Sequence, residues 1–181
     1  SIIDPLFTIP ALILVVIAIK TKKKIFSFFS IGWIIFYLSL GFIQYERALL
    51  AAKKADVVVM IVGTDEEWET EGRDRENMDL PGNQAELIRQ VSDCNPKTLV
   101  VVNAGSPITM DWANKADAVL VSWFGGQGMS DALVDVVLGG SEPSGRLPTT
   151  FPKRLEDTPA FTSYPGENSQ VIYAEGIFVG Y

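Results

Sequence analysis

The sequence predicts an α/β fold. Residues 51–181 read as a partial α/β/α sandwich with a mostly parallel sheet, preceded by a transmembrane helical hairpin over residues 1–50. Three observations carry this. Two long apolar stretches, residues 2–19 and 25–43, flank the basic run Lys20-Thr-Lys-Lys-Lys24. Three short Val-rich runs recur at residues 57–62, 98–102 and 118–122. Segments with apolar residues at helical spacing alternate with those runs, the pattern of strand and crossover helix.

Each apolar stretch is near the ~20 residues that cross a bilayer as helix. Short positively charged loops stay on the cytoplasmic side. The hairpin is therefore predicted to have its tip inside and both ends outside, with membrane lipid as a partner and the C-terminal domain on the extracytoplasmic side. Pro5 and Pro10 are tolerable near the start of the first span, where backbone N–H groups lack partners anyway. Trp33, Tyr37 and Tyr45 would serve in part as interfacial anchors. The alternative is a pair of buried core helices. It is disfavoured because no other part of the chain could cover two such faces.

The remaining elements follow in order. Residues 57–62 form a continuous Val-rich run, as in a strand buried on both faces. Residues 84–91 place Ala85, Leu87, Ile88 and Val91 on one helical face. A second and a third buried strand follow at 98–102 and 118–122. Residues 130–138 form a helix with Ala132, Leu133, Val136 and Val137 on one side, closed by Gly139-Gly140. From Gly145 onward, Pro and Gly punctuate an irregular tail.

Composition excludes several chemistries. The chain has 181 residues, 15 Lys and Arg, 22 Asp and Glu, and a net charge of −7. Residues 1–55 carry a net +5 and the remainder −12. The acidic part lacks the basic stripe of a nucleic-acid binder, so no nucleic-acid partner is expected. There is no histidine. That removes the Ser-His-Asp triad, the Cys-His dyad and every His-ligated metal site. No metal or other cofactor is expected. The single Cys94 reads as a structural buried thiol, since no His is present to activate it. The run Trp123-Phe-Gly-Gly-Gln-Gly128 invites a dinucleotide-binding reading, which fails. Asp131 stands where a third Gly or Ala is wanted, and no acidic residue follows at the usual distance.

The stretch richest in chemistry is GTDEEWETEGRDRENMDLPGNQAELI, residues 63–88. It leaves the end of a predicted strand, where α/β proteins keep their sites. This stretch, VVVNAGSPITMDWANKADAVLVSWFGGQGMSDALVDVVLGGSEPSGRLPTTFP, and the ending VIYAEGIFVGY together resemble the C-terminal α/β-sandwich domain of glycoside hydrolase family 3, and are most similar to its β-glucosidases. The resemblance runs from about Ala51 to Tyr181. It implies a retaining hydrolase of β-linked glucosides or oligosaccharides. One carboxylate, the nucleophile, would come from a separate (β/α)8 barrel domain, and the acid/base from this chain. The family's acid/base glutamate falls on Glu71, with Glu69 a rival by position. Substrate contacts are expected from Trp68, Glu69, Asp74 and Arg75. Asp74 and Arg75 are expected to pair and shape the loop, and Trp68 either stacks on a sugar or packs against the domain.

The segments SIIDPLFTIP (residues 1–10) and GFIQYERA (41–48) resemble the C-terminal membrane part of bacterial inner-membrane proteins classed as metal-dependent hydrolases. The His-rich motif of that family is absent, so no metal chemistry carries over. The join between the two resemblances falls at residues 46–55. With neither a barrel nor a second catalytic carboxylate in view, the chain alone is expected to be inactive. The competing expectations are a membrane-anchored, non-catalytic α/β module and a chimeric, non-functional reading frame.

Overall fold

The structure is a computed structural model and describes residues 24–178. The chain divides into two compact units, residues 1–54 and 55–181.

In the first unit, helix α1 spans Lys24–Lys54. Its ring pair Trp33–Phe36 lies at a centroid distance of 5.8 Å, and the Ser39 hydroxyl donates back to the Ile35 carbonyl at 2.7 Å. The helix runs on through Glu46, Arg47, Lys53 and Lys54. Among the described residues no helix is long and apolar enough to cross a membrane. The transmembrane hairpin is therefore unsupported, and the membrane location with an extracytoplasmic C-terminal domain is corrected. Apolar composition alone does not separate a lipid-facing helix from any other apolar segment. The first predicted span, residues 2–19, lies outside the described residues.

The second unit is built on a parallel three-stranded sheet in the order β1 (Val58–Gly63), β2 (Thr98–Asn103) and β3 (Ala118–Val121). Val58 pairs with Thr98 and Gly63 with Asn103. On the other side Leu99 pairs with Ala118 and Val102 with Val121. Helix α2 (Gln84–Cys94) connects β1 to β2, and helix α3 (Met129–Val137) follows β3. Strands and helices thus fall where the apolar pattern places them.

One face of the sheet carries the core. Val62, Val100 and Val102 meet Ile88 from α2, Leu80 from the loop after β1, and Ala104, Ile108 and Trp112 from the loop after β2. Burial of this kind contributes roughly 25 cal/mol per Å² of apolar surface. Buried Asn95 ties the end of α2 to the sheet: its Nδ2 donates to the Ala55 carbonyl at 2.8 Å, and its Oδ1 accepts from the Lys97 N–H at 2.9 Å.

Two expectations need correction here. β1 is not buried on both faces: Val57, Val59 and Ile61 are exposed, and only Val62 is fully buried. β1 is the edge of the three-stranded sheet, and one of its faces turns away from the core. Cys94 is free but only partly buried, so it does not belong to the core. Gly139 does close α3. It takes φ 78°, its N–H donates to the Val136 carbonyl at 3.2 Å, and Gly140 N–H donates to the Asp135 carbonyl at 2.7 Å. Residues 123–128 form the turn from β3 into α3.

Candidate active-site loop

β1 ends at Gly63, pressed against β2. A methyl group there would sit 1.9 Å from the Asn103 carbonyl oxygen. The Gln84 side chain then closes the strand end like an extra rung. Its Oε1 accepts from Gly63 N–H and its Nε2 donates to the Gly63 carbonyl, both at 2.9 Å. From this fixed point the loop of residues 64–80 leaves at the carboxyl end of the sheet.

Asp65 starts the loop with a tight turn. The Trp68 N–H donates to the Asp65 carbonyl at 3.1 Å and to its Oδ1 at 3.0 Å, and the Glu69 N–H donates to the same carbonyl at 2.9 Å. Trp68 is half-buried, and its indole N–H is enclosed without a partner. That placement fits packing against the domain.

Glu69 is the most engaged side chain of the loop. Oε1 accepts from the Thr64 hydroxyl and from Gly105 N–H at 3.0 Å, and Oε2 accepts from the Ser106 hydroxyl at 3.1 Å. Glu71, two residues on, is exposed and makes no hydrogen bond or ion pair within the described residues. The two rivals of the sequence therefore stand in opposite environments.

Asp74 and Arg75 do not pair. Asp74 Oδ2 accepts from the Tyr164 hydroxyl at 2.8 Å, while Arg75 Nη2 donates to the Pro107 carbonyl at 3.1 Å. Among the described residues Arg75 Nη1 is enclosed without a partner. The two side chains find partners in different segments, Tyr164 for Asp74 and Pro107 for Arg75. The phenol of Tyr164 is held above its ordinary pKa, first by the hydrogen bond to Asp74 and then by that carboxylate's negative charge. Arg73 donates to the Glu67 carbonyl at 2.9 Å and folds the loop on itself.

The loop closes through Thr109, whose N–H donates to the Met78 carbonyl at 2.8 Å and whose hydroxyl donates to Asp79. A cavity of about 550 Å³ lies beside this closing end, lined by Asp79, Arg89, Asp111 and Lys153 among others. None of Trp68, Glu69, Glu71, Asp74 or Arg75 lines it. Arg89 and Asp111 within it satisfy each other at 2.7 Å. Glu71 instead is exposed.

Thr64, Gly105, Ser106 and Tyr164 escaped the sequence reading. Thr64 and Gly105 lie just past the carboxyl ends of β1 and β2, a position that could have drawn notice. Tyr164 carries no local signal, because its partner lies 90 residues away.

The family model of the glycosyl hydrolase family 3 C-terminal domain matches residues 14–181. The chain belongs to this family. The family 3 match spans residues 46–55, the predicted join, and begins at residue 14, within the apolar N-terminal part. The resemblance of residues 1–50 to inner-membrane proteins is not supported. Among relatives, a β-glucosidase of Rhizobium radiobacter is 49% identical over 146 residues, covering 78% of this chain and 18% of that protein. A probable β-glucosidase I of Aspergillus flavus is 46% identical over 136 residues, covering 75% and 16%. The solved β-glucosidase of Kluyveromyces marxianus in complex with glucose aligns with a TM-score of 0.70 at 43% identity, covering 76% of this chain and 17% of that one. The chain thus spans less than a fifth of the length of these relatives.

Proposed function

We propose that this family 3 domain supplies the general acid/base of a retaining β-glucosidase-type glycoside hydrolase, and that Glu71 is that group. One observation carries the assignment. Of the three carboxylates that the resemblance brings forward, Glu69, Glu71 and Asp74, only Glu71 is both exposed and without a hydrogen bond among the described residues, free to meet a glycosidic oxygen. The β-glucosidase relatives supply the substrate class, a β-linked glucoside.

The chemistry needs two carboxyl groups about 5–5.5 Å apart. The nucleophile would come from a separate (β/α)8 barrel and attack the anomeric carbon. Glu71 would deliver its proton to the departing oxygen as that bond breaks, leaving a glycosyl ester on the nucleophile. It would then take a proton from water as that water displaces the ester. An exposed Glu71 suits this division of labour, because a second body would complete the pocket and desolvate it.

The substrate-binding roles expected of Trp68, Asp74 and Arg75 have less support. Each is turned to the domain: Trp68 by its enclosed indole, Asp74 by Tyr164, Arg75 by Pro107.

The test places residues 55–178 into the Rhizobium radiobacter β-glucosidase in place of the matching stretch. The 181-residue chain alone should not hydrolyse an aryl β-glucoside, and the graft should. In the graft, Glu71→Gln should depress kcat/KM, which reports formation of the glycosyl ester, at least ~100-fold for a poor leaving group and far less for dinitrophenolate, which leaves without a proton; kcat should fall for both, because the second step loses its base. Equal losses of kcat/KM for both leaving groups would sink the assignment; turnover by the chain alone that Glu71→Gln abolishes would overturn its expected inactivity.

A further inference from the structure

The structure assigns Glu69 a role of its own: we propose that it is the positioning residue that fixes where Glu71 is presented. The inference rests on Glu71 being the acid/base.

Three donors converge on the Glu69 carboxylate, and they come from the ends of two adjacent strands. Thr64 immediately follows β1, while Gly105 and Ser106 lie just beyond β2. Those ends are locked to one another. Gly63 is in register with Asn103, and Thr64 N–H donates to the Asn103 carbonyl at 3.1 Å. Glu69 therefore grips a rigid frame and not another loop.

Gly105 makes the grip possible. A Cβ at that position would sit 2.5 Å from Glu69 Oε2 and 2.9 Å from the Phe124 ring. Any side chain there would expel the carboxylate from its seat.

The same contacts argue against proton transfer by Glu69 itself. A carboxylate facing three donors accepts from all of them without rearrangement. A proton on Oε1 would confront the Gly105 N–H, the one donor here that cannot turn to accept, and a proton on Oε2 would require the Ser106 hydroxyl to reverse. The seat therefore favours a group that keeps its contacts over one that changes them in every turnover. Only Thr70 separates the clamp from Glu71, so Glu71 Cα lies within about 7.6 Å of the anchored Cα. Proton delivery is sensitive to small errors, with a misplacement of about 1 Å costing roughly 100-fold.

The test has two readouts. In the full 181-residue chain, amide hydrogen exchange across residues 70–75 should quicken at least ~10-fold in Glu69→Gln and in Gly105→Ala. It should stay unchanged in Glu71→Gln, and β2 should keep its protection in all three. Unaltered exchange in both clamp variants overturns the proposal. In the graft described above, Glu69→Gln and Gly105→Ala should lose turnover by a similar factor, more for poor leaving groups, with KM little changed. Gly105→Ala leaves the Glu69 carboxyl chemically intact, so a shared phenotype reports position and not proton transfer. Azide separates the two readings. It attacks the glycosyl ester at the anomeric carbon and displaces the nucleophile's carboxylate without giving up a proton. It should restore turnover to Glu71→Gly as glucosyl azide, and not to Glu69→Gly. Rescue of Glu69→Gly alone makes Glu69 the acid/base and overturns both readings. Quickened exchange with rescue of neither variant leaves Glu69 a clamp on the loop and removes its role towards Glu71.

Discussion

The loops that leave β1 and β2 run side by side and are built in opposite ways. Residues 64–80 are charged and largely exposed, and only Leu80 is buried. Residues 104–117 send Ala104, Ile108, Thr109 and Trp112 into the core. Every side-chain tie between the two runs from the charged loop to a short stretch of its neighbour: Glu69 to Gly105 and Ser106, Arg75 to Pro107, Asp79 to Thr109. The exposed loop has almost no core of its own. It borrows rigidity from the buried one through polar contacts. Chemistry at a surface needs a fixed support beneath it, and here the support is the next strand's loop.

The comparison breaks most severely if the platform is undercut. Trp112 is only 1% exposed and lies in the core with Ile108 and Ile88. Trp112→Ala should destabilise the domain by about 3–5 kcal/mol. Denaturant melts would measure it, and a loss below ~1 kcal/mol would show that the second loop is not the platform.

Next in size is the strand junction. Gly63→Ala forces a methyl group to within 1.9 Å of the Asn103 carbonyl unless the strands part. Overpacking of this kind costs roughly 1–3 kcal/mol. It should also disturb the Gln84 rung and the start of the charged loop, visible as faster exchange of the Gly63 and Thr64 amides. Normal stability with unchanged exchange would mean that β1 has slack at its edge.

A smaller and more local effect is expected at the loop's closing end. Thr109→Val keeps the shape of a buried side chain but removes the hydroxyl that donates to Asp79. Losing one such bond costs about 0.5–1.5 kcal/mol, and Asp79 is exposed enough to recover water. The neighbouring bond from Thr109 N–H to Met78 stays. Exchange should therefore quicken near Asp79 and not near Glu69, which would show that the ties act separately.

The two loops also differ in what the sequence discloses. The strands beneath them were legible from Val-rich runs: 57–62 for Val58–Gly63, 98–102 for Thr98–Asn103, 118–122 for Ala118–Val121. Helix α2 was legible from the spacing of Ala85, Ile88 and Val91. The exposure of Val59 and Ile61 was not, because a run of Val and Ile states a preference for strand without saying which face finds a partner. The apolar N-terminal part misled in the same way, reading as membrane although the family match begins within it. At the site, the carboxylates could be named but not sorted. Glu69 and Glu71 look equivalent along the chain. They diverge only because Gly105 and Ser106, some 36 residues away, arrive beside one of them. The expected Asp74–Arg75 pair failed for a related reason, since each found a partner from a distant segment.

The mildest tie is the one most readily read by pH. The Tyr164 hydroxyl donates to Asp74, and both are exposed. That bond and the carboxylate's charge raise the phenol above its usual value near 10. A folded-state value raised above the unfolded one stabilises fully below the unfolded pKa, and the contribution is lost as pH climbs through the raised value. The tie should therefore hold through neutral pH and release only in strongly alkaline solution, where phenolate and carboxylate repel. Ultraviolet difference absorbance of the chain against Tyr164→Phe should isolate one tyrosine that titrates late. Asp74→Asn should bring that titration back towards the ordinary range. A Tyr164 that titrates normally in the unaltered chain would mean the tail segment does not rest on the charged loop in solution, leaving that loop held by its neighbour alone.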